Sequence, residues 1–377
     1  MNCSDNHNGD DAAALLDLSA IELQGTPRQL GEQLGEATRS QTRELFERRL
    51  AAAIRSTCEY SGRVVGAEQV LDVARSGLPI SESYDPIGYE EFLGIARGSG
   101  ISPEELYVTQ GLTDLRDVLA LSDSTDAEGC SSFIIGGSRS AGGNLLIGQS
   151  WDLLFDNLPY VRLVHRIPSD GSPSTWSLTL TGCLTLIGLN SEGIAVGNTN
   201  LRTGDVRPGV QYLSVLHRAI RSHTFEEAVC AVRDAPRSAA HYYYVADANG
   251  QSVGLECSAT RCESLYTQND LLVHCNHALT APIAELEVTA SESSTCCRQQ
   301  RLSFLLESHK GGIGVQDIKA MLSDHAGGEN ALCRHGENAS DVTTNACVIM
   351  SPQTREIHAC RGPAHCGQWH TAKVRPQ

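Results

Sequence analysis

The residues of this chain best placed to do chemistry lie at one boundary, Glu128-Gly129-Cys130-Ser131-Ser132. A polar, acidic run, LSDSTDAE at 121–128, gives way there to the strand formers Phe133-Ile134-Ile135. A thiol at such a border would become a new amino terminus if the chain cut the Gly129–Cys130 bond itself, a reading that the residues downstream must carry. The structural alternative is one more buried thiol among fourteen, since free cysteines are mostly buried and inert. Other reactive residues form weaker sets. In His274-Cys275-Asn276-His277, neighbours on a strand point to opposite faces, so only His274 with Asn276, or Cys275 with His277, share one. His358, Cys360, His365 and Cys366 are better spaced for zinc but match no closed finger pattern. No metal is expected at either place. Gly136-Gly137 and Gly311-Gly312 lack the fingerprint of a nucleotide loop and read as turns.

The elements around Cys130 change period at that residue. Upstream, 26–57 places Leu45, Phe46, Leu50 and Ile54 at helical spacing. Further helices are predicted at 67–76 and 89–97. Ser102-Pro103-Glu104-Glu105 is a strong helix start, with a capping serine, a first-turn proline and a carboxylate three residues on. The first 120 residues are therefore expected to be helical. Downstream, alternating segments at 132–136, 144–149, 160–167 and 175–180 are separated by turn residues and predict antiparallel strands. A strand, turn and strand follow over 187–201, then helices at 210–221 and 225–233, the second opened by Thr224-Phe225-Glu226-Glu227. Strands return at 241–246, 252–256 and 271–275, helices at 295–308 and 315–323, and strands at 346–350 and 356–359. This order implies two antiparallel sheets face to face with helices outside, an α+β chain in four layers, αββα.

Composition narrows the partners. A formal net charge of −16 disfavours nucleic acid and anionic membrane surfaces. No apolar run approaches the roughly 20 residues of a membrane span, and MNCSDNHNGDD at the start lacks the basic and apolar regions of a signal peptide. A cytoplasmic protein with reduced thiols is expected.

Several segments, in order, carry a family resemblance: Gly129-Cys130, Gly148-Gln149-Ser150-Trp151-Asp152, Gly188-Leu189-Asn190-Ser191-Glu192-Gly193, Glu256-Cys257-Ser258, His274-Cys275-Asn276-His277 and Cys333-Arg334-His335. With Gly94-Ile95-Ala96-Arg97-Gly98 in the helical part, they resemble the isopenicillin N acyltransferase (acyl-CoA:6-aminopenicillanic acid acyltransferase) family of N-terminal-nucleophile hydrolases. The resemblance implies the αββα N-terminal-nucleophile hydrolase fold preceded by a helical segment. It also implies self-cleavage between Gly129 and Cys130, giving a helical fragment 1–129 and a catalytic fragment 130–377 that stay together.

Cys130 would then form an acyl-enzyme with an amide or thioester substrate, acyl-CoA among the candidates, and need no cofactor. Its new α-amine, with an ordinary pKa of about 7.7 to 8.0 against about 10.4 for lysine, can serve as the base for its own thiol. By the same resemblance Asp152 orients that amine and Asn276 donates an N–H to the oxyanion. Asn198 or Asn200 supplies a second donor or shapes the pocket, the Gly-Asn-Thr-Asn run leaving the choice open. Ser258, Arg334 and Trp151 are candidates for substrate binding. Gln149 stands where related hydrolases carry arginine. Trp151, Phe155, Tyr160 and 242–244 are candidates for an acyl pocket, or plain core. Water or an amine could resolve the acyl-enzyme, so hydrolase and acyltransferase both stand. A non-catalytic relative that keeps the fold and acts as a binding protein is the alternative from another class.

Overall fold

Two sheets carry the chain. The computed structural model describes residues 15–120, 129–288, 294–336 and 338–375, so the acidic run at 121–128 and the first residues lie outside the described part. Strand β1 is Ala20–Gly25, and six helices follow: α1 Pro27–Ala37, α2 Arg39–Ser61, α3 Ala67–Tyr84, α4 Pro86–Ser99, α5 Pro103–Gln110 and α6 Leu112–Leu119. Beyond the cysteine boundary come β2 Gly129–Ile135, β3 Leu146–Leu154, β4 Val161–Pro168, β5 Thr175–Leu180, β6 Ile187–Asn190 and β7 Ala195–Asn200. Then follow α7 Tyr212–Ile220, α8 Phe225–Arg233, β8 His241–Ala246, β9 Ser252–Cys257, β10 Cys262–Leu265 and β11 Leu271–His274. The chain continues through the single turn α9 Ala281–Ala284, α10 Ser294–Ser308, α11 Val315–Leu322, β12 Val342–Ser351, β13 Glu356–Arg361 and β14 Trp369–Lys373.

One sheet has eight strands in the order β1-β4-β5-β6-β7-β8-β9-β10, the other six in the order β11-β2-β3-β12-β13-β14. They face each other where β2 and β3 meet β7 and where β12 and β13 meet β6. Helices α7 and α8 cover the outside of the larger sheet, and α10 and α11 the outside of the smaller. This is the expected four-layer αββα architecture. Side-chain alternation along β2 shows why its strand formers run unbroken: Ile134 joins the core between the sheets, while Phe133 and Ile135 join the core under α10 and α11. A strand buried on both faces needs apolar residues at every position.

The capping boxes at Ser102 and Thr224 form as expected. Two expectations change, and the sequence does not foresee two further strands. The long helix at 26–57 breaks at Thr38, giving α1 and α2. The first 120 residues are not wholly helical, because β1 adds to the sheet edge, parallel to β4. Its apolar residues, Ile21 and Leu23, are too few for a periodic signal. Strands β10 and β14, both short and at sheet edges, are likewise invisible to alternation.

The segment before Cys130 is knitted into the rest. Helices α1 and α4 touch backbone to backbone: a Cβ on Gly31 would come within 2.0 Å of the Glu91 carbonyl, and one on Gly94 within 2.2 Å of that of Arg28. This places Glu91 in the interior, where it meets Arg166 of β4 at 2.7 Å and His217 of α7 at 3.2 Å, all three side chains almost fully buried. Burial alone would raise the Glu91 carboxyl, but Arg166 and His217 hold it well below the usual carboxylate range. Burial, against the pull of Glu91, lowers His217.

Both shifts make the unfolded chain bind more protons than the folded one, so stability should fall as pH falls. It is expected to decline first below the ordinary histidine value of 6.5 and again below the ordinary glutamate value of 4.5. Glu91→Gln leaves the buried Arg166 charge without its counter-ion and is expected to cost about 3 to 5 kcal/mol at neutral pH and to remove the lower step. Urea midpoints against pH check this; an unchanged lower step would show that Glu91 contributes nothing.

None of the described helices is long and apolar enough to cross a membrane. Among the described residues the cysteines are thiols, none joined in a disulfide.

Candidate active site

Strand β2 starts at the boundary itself. In its ladder with β3, Gly129 lies opposite Asp152 and Cys130 opposite Trp151. Strand β7 of the other sheet brings Asn198 and Asn200, two apart and so on one face, and the turn after β11 brings Asn276. All these residues line one cavity of about 20 Å³, together with Thr113, Leu153, Tyr212 and His241. That is room for about one water, and Cys130 is only 5 % exposed.

The polar groups around Cys130 are held firmly. Its N–H donates to Asn276 Oδ1 at 2.8 Å. The same oxygen accepts from Arg298 Nη2 at 2.9 Å, while Asn276 Nδ2 donates to the Asn200 carbonyl at 2.9 Å. The Asn276 carboxamide is therefore turned with its oxygen, not its N–H, toward Cys130. Two donors on one side and a carbonyl on the other fix that orientation, which differs from the oxyanion role inferred from the resemblance. Asp152 Oδ1 accepts from Thr344 Oγ1 at 2.9 Å, and Oδ2 lies 3.9 Å from Arg334 Nε. Burial pushes the Asp152 carboxyl above its ordinary value, with Arg334 and Arg298 opposing.

Arg298 of α10 is fully buried. Besides Asn276, its Nη1 donates to the Cys130 carbonyl and to Ser131 Oγ at 3.1 Å. Gly129 lies beneath it: a Cβ there would meet Arg298 Cζ at 3.0 Å and Arg334 Nη1 at 3.3 Å. A side chain before Cys130 would thus press on two guanidinium groups, which would have to give by a few tenths of an ångström. Nothing in the local Cys296-Cys297-Arg298-Gln299 sequence marks this arginine.

A second buried chain of polar groups reaches the cavity from the larger sheet. Asp114 of α6 accepts from His241 Nε2 at 2.6 Å, from the Tyr212 N–H at 2.9 Å and from Ser238 Oγ at 2.8 Å. Its carboxylate therefore also sits at the amino terminus of α7, where negative charge is favoured. His241 Nδ1 then faces Asn198 Nδ2 at 3.1 Å, and among the described residues the buried Asn198 Oδ1 has no partner. A histidine opening the apolar run His241-Tyr242-Tyr243-Tyr244-Val245 is the only sequence signal for this group. Gln149 bridges the sheets, its Oε1 accepting from the Asn198 N–H at 3.1 Å and from Tyr244 Oη at 2.9 Å. It positions Asn198, which β6 does not pair.

The structure thus gathers Cys130, Asp152, Asn198, Asn200, Asn276 and Trp151 around one cavity. Two substrate-binding candidates are placed differently. Ser258 does not line the cavity; its hydroxyl donates to Asp205 at 2.7 Å and accepts from the Arg261 N–H at 2.9 Å, tying the turn after β9. Arg334 is buried and its Nη2 donates to Ser294 Oγ at 2.6 Å, so it faces Asp152 as part of the interior. Tyr242, Tyr243 and Tyr244 are buried core.

A larger cavity of about 500 Å³ shares Leu153 with the first. Its walls come from α2 (Leu45, Arg48, Arg49, Ala53), from α6 (Leu115, Arg116) and from the end of β3 onward to Asn157 and Tyr160.

Residues 140–364, more than half of the chain, match the family described as acyl-coenzyme A:6-aminopenicillanic acid acyl-transferase; Cys130 lies ten residues before that match. The chain is 26 % identical over 262 residues to the acyl-coenzyme A:6-aminopenicillanic-acid-acyltransferase 40 kDa form of Emericella nidulans, covering 69 % of each chain. Among solved structures it is similar to a mutant of conjugated bile acid hydrolase from Clostridium perfringens (TM-score 0.43, 11 % identity, 66 % of this chain and 98 % of that one). It is also similar to a Caenorhabditis elegans ortholog of N-acylethanolamine-hydrolyzing acid amidase (TM-score 0.43, 17 % identity, 59 % and 93 %). The extent of the family match places the conclusion on sequence grounds: the chain belongs to the acyl-coenzyme A:6-aminopenicillanic acid acyl-transferase family.

Proposed function

We propose that the chain is a self-processing acyltransferase or amidohydrolase whose nucleophile is Cys130. The observation that carries this reading is one cavity, at the start of a strand, that joins a cysteine preceded by glycine to Asp152, Asn198, Asn200 and Asn276. A scaffold that only binds gives no reason for a thiol to be preceded by glycine and set at the wall of that polar cavity.

In the uncut chain Cys130 Sγ attacks the Gly129 carbonyl. The amide nitrogen takes up a proton and leaves as the α-amine, and the resulting thioester is hydrolysed by water to a Gly129 carboxylate and a free thiol. Arg298 and Arg334, both against Gly129, offset the charge that develops on its carbonyl oxygen. Because Gly129 pairs with Asp152, the new amine emerges beside that carboxylate. Asn276 Oδ1, already bonded to this nitrogen, and Asn198 Oδ1, unpartnered among the described residues, are further acceptors for it. In its neutral form the amine takes the thiol proton, and the thiolate attacks the acyl donor.

The cavity of about 500 Å³ has the size of a ligand pocket and is our candidate for the acyl donor. Four arginines, Arg48, Arg49, Arg55 and Arg116, line it beside Glu47 and Asp156. Glu44 and Asp117 pair with Arg48 and Arg116 from outside the lining. In a chain of net charge −16, the cavity therefore offers a concentration of guanidinium donors rather than a net positive charge. That suits an anionic donor such as a coenzyme A thioester, in keeping with the name of the relative. Walls from both sides of the cleavage point also mean that fragments 1–129 and 130–377 must stay associated.

Intact-mass analysis of purified wild-type protein, before and after a pulse of acyl thioester, tests this. Expected are two chains ending at Gly129 and beginning at Cys130, with one acyl group added to the second. An active protein that remains one uncut chain, or an acyl group mapped elsewhere, would overturn the reading. Adding an amine acceptor separates the two outcomes: amide product marks a transferase, free acid at an unchanged rate a hydrolase.

A further inference from the structure

Outside the acyl site, four metal-ligating side chains from three separate loops converge. His325 follows α11, Cys333 and His335 precede β12, and His365 sits in the β13–β14 connection, and one donor atom from each lies within 4.8 Å of all the others. The zinc-like spacing in the sequence groups His365 with His358, Cys360 and Cys366. Two of those, His358 and Cys360, are instead strand residues of β13. Cys333 Sγ lies 3.6 Å from His335 Nε2 and 3.6 Å from His365 Nδ1. In a tetrahedral zinc site, bonds of 2.0–2.3 Å put donors about 3.3 to 3.6 Å apart, which these two distances match. His325 Nε2 and His335 Nε2, at 2.6 Å, need to open by about 0.7 Å to reach that spacing.

The backbone sets the cluster in place. The Cys333 N–H donates to the Asp324 carbonyl at 3.0 Å, setting His325 beside Cys333, and the turn closed by Gly367 N–H to the Pro363 carbonyl at 2.7 Å presents His365. Hydrogen bonds between His325 and His335 and between Cys333 and both His335 and His365 link the four groups, so a thiol and three imidazoles are aimed at the same point. We propose that His325, Cys333, His335 and His365 bind one divalent cation of the zinc class as a structural staple. Three imidazoles and a thiolate suit zinc among biological divalent ions, and four protein donors leave no open position for catalysis. His325 and His365 are exposed, which gives the ion a path in.

The staple would bear on the acyl site through one residue. Arg334 lies between two of the ligands and points the other way, toward Asp152 and Ser294, so fixing Cys333 and His335 also fixes the loop that carries it.

The test is metal titration of the full-length protein, stripped with a chelator, using Zn²⁺ and, as an optical probe, Co²⁺. Expected are one equivalent bound with submicromolar affinity, a cobalt spectrum of four-coordinate type with a thiolate charge-transfer band, and a melting temperature about 5 °C higher with Zn²⁺ than without. Cys333→Ser should abolish the charge-transfer band. His325→Ala, at an exposed position where folding is not at risk, should weaken Zn²⁺ affinity at least ~10-fold. His358→Ala should leave both unchanged. Absence of one-to-one binding at micromolar protein, or binding that survives Cys333→Ser and His325→Ala alike, overturns the assignment.

Discussion

Cys130→Ala is expected to be recovered as one chain of 377 residues and to lose acyl-transfer activity by at least about 10⁴-fold, the scale seen when a nucleophile that acts as part of a unit is removed. The substitution removes one sulfur from a buried position, so folding should suffer by only about 1 kcal/mol, and a normal urea midpoint would show that the loss is chemical. Cys130→Ser should cut slowly, because a hydroxyl is far harder to ionise than a thiol. The pH profile of the processed enzyme carries a second signature. If the α-amine of Cys130 is the base proposed above, activity requires its neutral form and rises with pH. The carboxylate of Asp152 beside that amine favours its charged form and moves the rise upward from the ordinary value of about 7.7 to 8.0. Asp152→Asn should therefore lower the rate at its plateau and shift the rise toward lower pH. A Cys130→Ala protein that still appears as two fragments would show that another group does the cutting.

Arg298→Met should block processing and cost about 3 to 5 kcal/mol of stability. The guanidinium is fully buried and bonds the Cys130 carbonyl, Ser131 Oγ and Asn276 Oδ1. Methionine fills similar volume but takes a donor from each of three acceptors, of which Asn276 Oδ1 keeps the Cys130 N–H, and a buried acceptor left with no donor costs about 1 to 3 kcal/mol if no water enters. It also removes one of the two cations opposing the burial of Asp152. Arg298→Lys separates position from charge. Lysine keeps the charge but not the fork that spans three acceptors, so losing one such bond should slow cleavage by about 10- to 150-fold. The measurement is the rate of fragment appearance after refolding, beside the urea midpoint. Cleavage by Arg298→Lys at the wild-type rate would confine this arginine to a structural part.

Much of the architecture was legible because its causes are local. The serine and threonine capping boxes close within four residues, so Ser102 and Thr224 announced their helices correctly. Alternation along Thr175–Leu180 and Phe225–Arg233 periodicity needed no partner to be read. The misses are places where a partner decides. Strand β1 is held by β4, more than a hundred residues away, and α1 ends at Thr38 although the helical pattern runs on.

For the site the division is similar. The sequence by itself determined the glycine-cysteine step and, through ordered motifs, the carboxylate and amides that meet there. All but Asn276, which sits in the turn after β11, lie on strands whose register follows from hydrophobic alternation, so short motifs carried their placement. Tertiary structure alone decided which way Asn276 turns, since that depends on Arg298 and the Asn200 carbonyl. It alone placed Ser258 in a turn and Arg334 against Asp152. It alone brought in Arg298, the Asp114–His241 pair and the His325, Cys333, His335 and His365 cluster. Each of these rests on contacts between elements far apart in the chain, and a buried polar group is defined by the partners that satisfy it, which no local pattern records.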